Sequence, residues 1–204
     1  MTMRSPTESA VGGRGGPGHL PGRLVPVYSR ERVRRRIGRM VPELDAWARA
    51  SRERDGQLLM VVCILRGGVF FFSDLIQAMT ESIQPAFCRC HAYQKGANGV
   101  PAEALRIDLP EPVRNRSVLL VDSICDSGRT LRETVRLCGE QGASSIRTAV
   151  LVRRLRPDAE FTPDFSGFEY PGGEWLAGYG LSDGNEAMNL PGVYRVVKAE
   201  EIAS

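Results

Sequence analysis

Apolar residues follow two different spacings along this chain, and the changes of spacing mark out its elements. Val33, Ile37, Met40, Val41, Leu44 and Trp47 recur at helical intervals behind Ser29, a residue suited to capping a helix N-terminus. Leu58 to Leu65 is an unbroken apolar run of strand length, and Phe70 to Met79 returns to a helical pattern. Phe87 to Tyr93 reads as another strand. Gln94 to Ala104 has no steady period and predicts a mobile loop, after which Leu105 to Leu109 pairs back as a hairpin strand. Val118 to Val121 forms a further buried strand. A helix with Leu131, Val135, Leu137 and Cys138 follows, and then a strand over Ser145 to Arg153. Residues 1 to 23, rich in Gly, Pro and Ser, bury little and predict a disordered tail, with structure beginning near Leu24. Strands alternating with helices predict an α/β domain with a mainly parallel twisted sheet flanked by helices. Ligands in such sheets bind beyond the carboxyl ends of the strands. Arg66-Gly67-Gly68, Asp122 to Thr130 and Arg153 all follow predicted strands directly, so one cleft gathers them. No internal repeat is visible.

Composition narrows the class. A chain of 204 residues with 42% hydrophobic and 25% charged content suits one globular domain with a full core. Its longest apolar run is far too short to span a bilayer, and the N-terminus lacks the apolar core of a signal peptide, so a cytoplasmic protein is expected. Five cysteines without a CxxC pair and only two histidines argue against zinc and for free thiols in a reducing compartment. Of the 27 basic residues only Lys95 and Lys198 are lysines, a skew that reads as coding bias. From Arg23 to Asp55 ten arginines face five carboxylates. The expectation there is a solvated helix face rather than a nucleic-acid surface.

The chemistry concentrates in Val118-Leu-Leu-Val-Asp122-Ser123-Ile-Cys125-Asp126-Ser127-Gly128-Arg129-Thr130. A strand, a turn of small residues and a helix N-terminus together hold a phosphate through converging backbone amides. Ser127 and Thr130 add hydroxyl donors, and Gly128 lets the backbone come close. Asp122 and Asp126 would repel a bare phosphate and suit one attached to a polyol such as ribose. The bland alternative is a βα turn in which Asp126 and Ser127 only cap the helix.

This segment resembles the phosphoribosyl-pyrophosphate (PRPP) signature of type I phosphoribosyltransferases. Ile64-Leu65-Arg66-Gly67-Gly68 with Phe70 to Leu75, Pro163 to Glu169, and Trp175 to Leu181 extend the likeness over about residues 25 to 197, in order. They narrow it to the hypoxanthine-guanine phosphoribosyltransferase family. The resemblance implies a type I phosphoribosyltransferase fold over residues 24–204, with a small hood from about 24–50 and 160–204. It implies an enzyme, a pentosyltransferase of purine salvage. That enzyme moves the phosphoribosyl group from Mg²⁺-PRPP to a 6-oxopurine (hypoxanthine or guanine), releases pyrophosphate, and assembles as a dimer or tetramer.

The resemblance also implies roles for single residues. Asp126 is the general base toward the purine N7. Asp126, Ser127, Gly128, Arg129 and Thr130 hold the 5′-phosphate, and Asp122 with Ser123 engages the ribose. Leu65, Arg66 and Gly67, with a cis bond at Leu65–Arg66, meet pyrophosphate along with Arg89. Tyr93 belongs to a closing lid. Arg153 contacts the purine oxygen, Trp175 stacks on the base, and Leu176 offers backbone groups to its edge. Asp183 and Asp122 are the candidates for holding magnesium.

Three positions depart from the family pattern, each losing charge on the PRPP side. Ser123 replaces the second acid of the signature, Ser182 stands at the metal-holding aspartate, and Met188 at a pyrophosphate arginine. They keep two rivals open. One is a phosphoribosyltransferase with another acceptor base. The other is a non-catalytic PRPP or nucleotide sensor that binds RNA or a regulatory partner.

Overall fold

The computed structural model describes residues 22–92, 105–109, 112–182 and 186–198. The elements run β1 (Gly22–Tyr28), α1 (Arg30–Asp55), β2 (Leu59–Leu65), α2 (Val69–Ala78), β3 (Ile83–Ala92), β4 (Leu105–Asp108), β5 (Ser117–Cys125) and α3 (Arg129–Glu140). They continue with β6 (Ser145–Arg154), β7 (Phe165–Tyr170), β8 (Trp175–Ala177) and β9 (Val193–Lys198). Six strands form one sheet in the order β4-β3-β2-β5-β6-β7, parallel except for β4, which pairs antiparallel with β3. A parallel sheet covered on both faces needs apolar residues at successive positions, which is why β2 and β5 read as continuous runs. Leu59, Val61 and Cys63 of β2 join Leu119 and Val121 of β5 in one core with α1 and α2. The alternate residues Met60, Val62, Ile64, Val118 and Leu120 pack with Leu131 and Cys138 of α3 in the other.

Helix α1 begins where Ser29 accepts a hydrogen bond from the Arg32 amide, and ends where Gly56 takes a left-handed φ of 67°. Its apolar stripe enters the main core, so most of the segment expected in the hood covers the large sheet instead. Strand β7 likewise belongs to that sheet, paired in parallel with β6. What stands apart is a three-stranded antiparallel sheet, β1-β9-β8, made from the two ends of the chain. Gly22 and Arg23, expected in the tail, pair with Lys198 and Val197 in β1. Their partner strand lies at the far end of the sequence, where local periodicity cannot reveal it. The remaining tail, the loop predicted at 94–104, and Tyr93 and Asp183 lie outside the described residues.

Candidate active site

The phosphate turn forms at the carboxyl end of β5. Gly128 caps α3 with φ of 85°, and a Cβ there would come within 2.6 Å of the Phe161 Cβ. The turn is therefore seated on the segment before β7, where the Glu160 amide also donates to the Ser127 carbonyl at 2.7 Å. Ser127 Oγ accepts from the Arg129 amide at 3.4 Å. The first amides of α3 have no partner inside the helix and face the turn, so a phosphate can collect them.

Three distant segments meet backbone to backbone beside it. The Leu65–Arg66 peptide is cis. A Cβ on Gly67 would lie 2.7 Å from Ser123 Oγ and 3.4 Å from the Gly180 carbonyl, and one on Gly180 would lie 2.1 Å from the Gly67 carbonyl. Only glycine permits this approach. Asp122 Oδ1 accepts from the Ser123 amide at 2.6 Å and from its hydroxyl at 3.4 Å. Burial pushes the Asp122 carboxyl up to about 7, against the lowering effect of those two bonds. Arg66, Gly67, Ser123, Gly180, Ser182 and Met188 all line a cavity of about 340 Å³ in this corner. Ser182 Oγ donates to the Glu186 carbonyl at 2.6 Å. Register sets Arg89 beside Leu65 on the neighbouring strand, with its side chain exposed.

On the other side of Asp126 the strand alternation of β6 decides what faces the cleft. Arg154, 8% exposed, approaches Asp126 Oδ1 with its Nε at 3.2 Å. It also donates to the carbonyls of Gly172 and Glu174, just ahead of Trp175. Arg156 donates to the same Asp126 oxygen at 2.8 Å and to Asp158 at 2.6 Å. Arg153, the purine cation expected from the sequence, bonds Glu169 and Thr162, each at 3.3 Å, on the α1 side of the sheet. Neighbouring strand residues point to opposite faces, so Arg154 and Arg153 cannot both reach Asp126. Arg154 and Arg156 are the residues that sequence reasoning missed; the two-residue period of β6 was the available signal for the first. Trp175 is 51% exposed on the edge strand β8 and is no core tryptophan, whereas Leu176 is buried. Tyr179 fastens this segment to the helix after the Arg66 loop, its hydroxyl donating to Asp74 at 2.6 Å; burial and that carboxylate both push its pKa up.

The site thus joins a phosphate turn, a glycine-lined corner and an exposed aromatic around one aspartate. The phosphoribosyl transferase domain matches residues 35–176. The hypoxanthine-guanine phosphoribosyltransferase of Aquifex aeolicus is 30% identical over 175 residues, covering 85% of this chain and 95% of that one. The chain belongs to the hypoxanthine-guanine phosphoribosyltransferase family. The Lactococcus lactis enzyme of the same name is 32% identical over 141 residues, covering 69% of this chain and 76% of that one. The fold agrees with the hypoxanthine phosphoribosyltransferase structure from Staphylococcus aureus, with a TM-score of 0.72 at 24% identity over 88% of this chain and 94% of that one. It also agrees with the Trypanosoma cruzi hypoxanthine phosphoribosyltransferase, crystallised with IMP, at a TM-score of 0.73 and 19% identity over 89% and 98%.

As a member of this family the chain is a purine phosphoribosyltransferase, a PRPP-dependent enzyme of the glycosyltransferase class. Ser123, Ser182 and Met188, the three positions read from the sequence as departures from the family pattern, line one cavity together. No helix among the described residues is long and apolar enough to cross a membrane.

Proposed function

We propose that this enzyme transfers the 5-phosphoribosyl group of PRPP to hypoxanthine or guanine, releasing pyrophosphate. The observation that carries the reading is the setting of Asp126. It opens the phosphate turn, and Arg154 ties it to the backbone just before the exposed Trp175. A ribosyl phosphate held by the turn and a base stacked on Trp175 would then meet beside one carboxylate. In the reaction the bond from C1 to pyrophosphate breaks, the leaving oxygen keeps the electron pair, and a purine nitrogen bonds to C1. Asp126 Oδ2, which neither arginine occupies, takes the proton from N7 and faces the positive charge that develops at C1. The Arg66–Gly67 corner receives the departing pyrophosphate. Arg154, rather than Arg153, is the cation nearest the base side, and the β1-β9-β8 sheet is the hood over the base.

For magnesium, the hard-oxygen donors at hand are the Asp122 carboxylate and the hydroxyls of Ser123 and Ser182. No group of three His, Cys, Asp or Glu among the described residues could hold a metal. This set fits an ion that arrives on PRPP and keeps most of its shell as water and phosphate oxygens. Bound there, magnesium would neutralise the diphosphate charge. Five unpaired thiols support a cytoplasmic setting. We include a homodimer or homotetramer in this reading, with light scattering of the purified protein as its test.

The deciding experiment follows pyrophosphate release from PRPP and Mg²⁺ with hypoxanthine, guanine, xanthine and adenine in parallel. Release with an oxopurine supports the assignment and names the base. The uncharged Ser123, Ser182 and Met188 in the pyrophosphate corner favour one rival, a sensor that binds PRPP or a nucleotide without turnover. Silence with all four bases, while PRPP still raises the melting temperature, would replace the transferase reading with that one.

A further inference from the structure

Helix α1 carries a stripe of arginine that the transferase cleft does not use. Arg32, Arg35, Arg36 and Arg39 recur at i, i+3, i+4 and i+7, a continuous row about 10 Å long. The row faces β7, the last strand of the large sheet, across a groove of about 790 Å³ whose lining also includes Arg153. None of the four pairs with a carboxylate among the described residues. Arg32 lies over the stacked rings of Tyr28 and Phe168, at 5.0 and 5.5 Å from their centres, and Arg36 donates to the Ser166 carbonyl at 3.0 Å. The buried Nε of Arg36 has no hydrogen-bond partner among the described residues. Two carboxylates border the groove: Asp164 is engaged by the amide and hydroxyl of Thr148, and Glu169 pairs with Arg153 and leaves the four α1 arginines unmatched by it. A solvated helix face spreads its charges and pairs many of them. Here five guanidinium groups converge on one concavity with an orphaned buried donor, and that arrangement calls for an anion.

We propose that the groove between α1 and β7 is a second ligand site, distinct from the transferase cleft, that takes a short chain of phosphates. Several features select that ligand. Guanidinium groups in a row match successive phosphate oxygens bidentately. The ring of Tyr28 is buried against Phe168 under Arg32, so no free aromatic face is offered to a base. Nucleic-acid grooves that track single strands rely on such faces, and this one lacks them. Its volume is that of a small-molecule pocket. A free polyphosphate and the phosphate chain of a nucleotide present the same groups, and the groove reads only the chain.

The test is calorimetric titration of the full chain with inorganic tripolyphosphate while GMP saturates the cleft. One binding event per chain is expected. Arg35→Glu with Arg39→Glu should weaken it by about tenfold or more, since each arginine contributes a charged hydrogen bond. The same protein should release pyrophosphate at the wild-type rate when tripolyphosphate is absent. Arg35→Lys with Arg39→Lys should retain most of the affinity, and GTP should bind as tightly as tripolyphosphate. Unchanged affinity in the glutamate variant would place the binding away from this groove and overturn the proposal. So would a single-stranded RNA that outcompetes tripolyphosphate at equal phosphate number, which would make the groove a nucleic-acid surface.

Discussion

Asp126 is held at one oxygen by two arginines and at the other by neither, and this asymmetry is the main chemical statement the described residues make. Arg154 and Arg156 both engage Oδ1, so the side chain is aimed before any ligand arrives. A preset carboxylate contributes to the rate by its proton affinity and its charge, and Asn keeps its shape while removing both. Asp126→Asn should therefore lower kcat by about a hundredfold or more while the affinity for GMP changes by less than about threefold. Steady-state rates beside calorimetric binding check it; an unchanged kcat would remove Asp126 from the chemistry. The place of Asp126 at the head of a turn before a helix was legible in the motif, because Ser127, Gly128 and Thr130 follow it within five positions. Its partners were not. Arg153 and Arg154 are indistinguishable by type, and only the face each takes on β6 separates them. The clustering of Ser123, Ser182 and Met188 in one cavity was equally hidden, since sequence distance conceals a shared wall.

Elements were legible to the degree that their signal was local. Strands β2 and β5 announce themselves as apolar runs, and α1 as a stripe with a cap, because each is buried along its own length. Strand β1 carries Pro26 and is held only by β9, so nothing nearby marks it. The joint between α1 and α2 was hidden for a related reason: it rests on a polar residue. Asp45, buried on α1, accepts from the Thr80 amide at 3.1 Å, the Thr80 hydroxyl at 2.6 Å and the Glu81 amide at 3.2 Å. Burial acts to raise its pKa, but those bonds and the nearby Arg49 outweigh it and leave the carboxyl below its ordinary value. A depressed folded pKa stabilises the fold above the unfolded value and stops doing so as pH falls through the folded one. Asp45→Asn should cost about 2 kcal/mol near neutral pH. The gap between wild type and variant should close as pH falls from about 5 to about 3. Urea unfolding across that range measures it, and a gap independent of pH would mean that shape rather than charge makes the joint.

Across the whole molecule, function depends on how the small sheet meets the large one. The small sheet carries Trp175, where we place the base; Asp126 and the Arg66 loop follow strands of the large sheet. They join where Gly178, Tyr179 and Gly180 all take positive φ, of 87°, 52° and 90°. That turn presses Gly180 onto the Gly67 carbonyl, while the Tyr179 hydroxyl reaches Asp74 on α2. The closest approach of the two segments is thus backbone to backbone, where no side chain can shift to absorb an added methyl group. At Gly180 a methyl group would sit 2.1 Å from the Gly67 carbonyl, in a backbone conformation that side chains rarely adopt. One of the two segments must move, and both border the pyrophosphate corner. Gly180→Ala should destabilise the protein by about 1–3 kcal/mol. It should also reduce kcat/KM for PRPP by about a hundredfold, because a displacement near 1 Å is enough to spoil alignment of the reacting atoms. Gly173→Ala, at a glycine in the same half of the chain with open space around its Cβ, is the control and should leave both quantities near wild type. Thermal unfolding and PRPP titrations of the two variants decide it. If Gly180→Ala unfolds earlier yet turns over PRPP normally, the joint is structural only, and registration of the two sheets must come from the bound ligand.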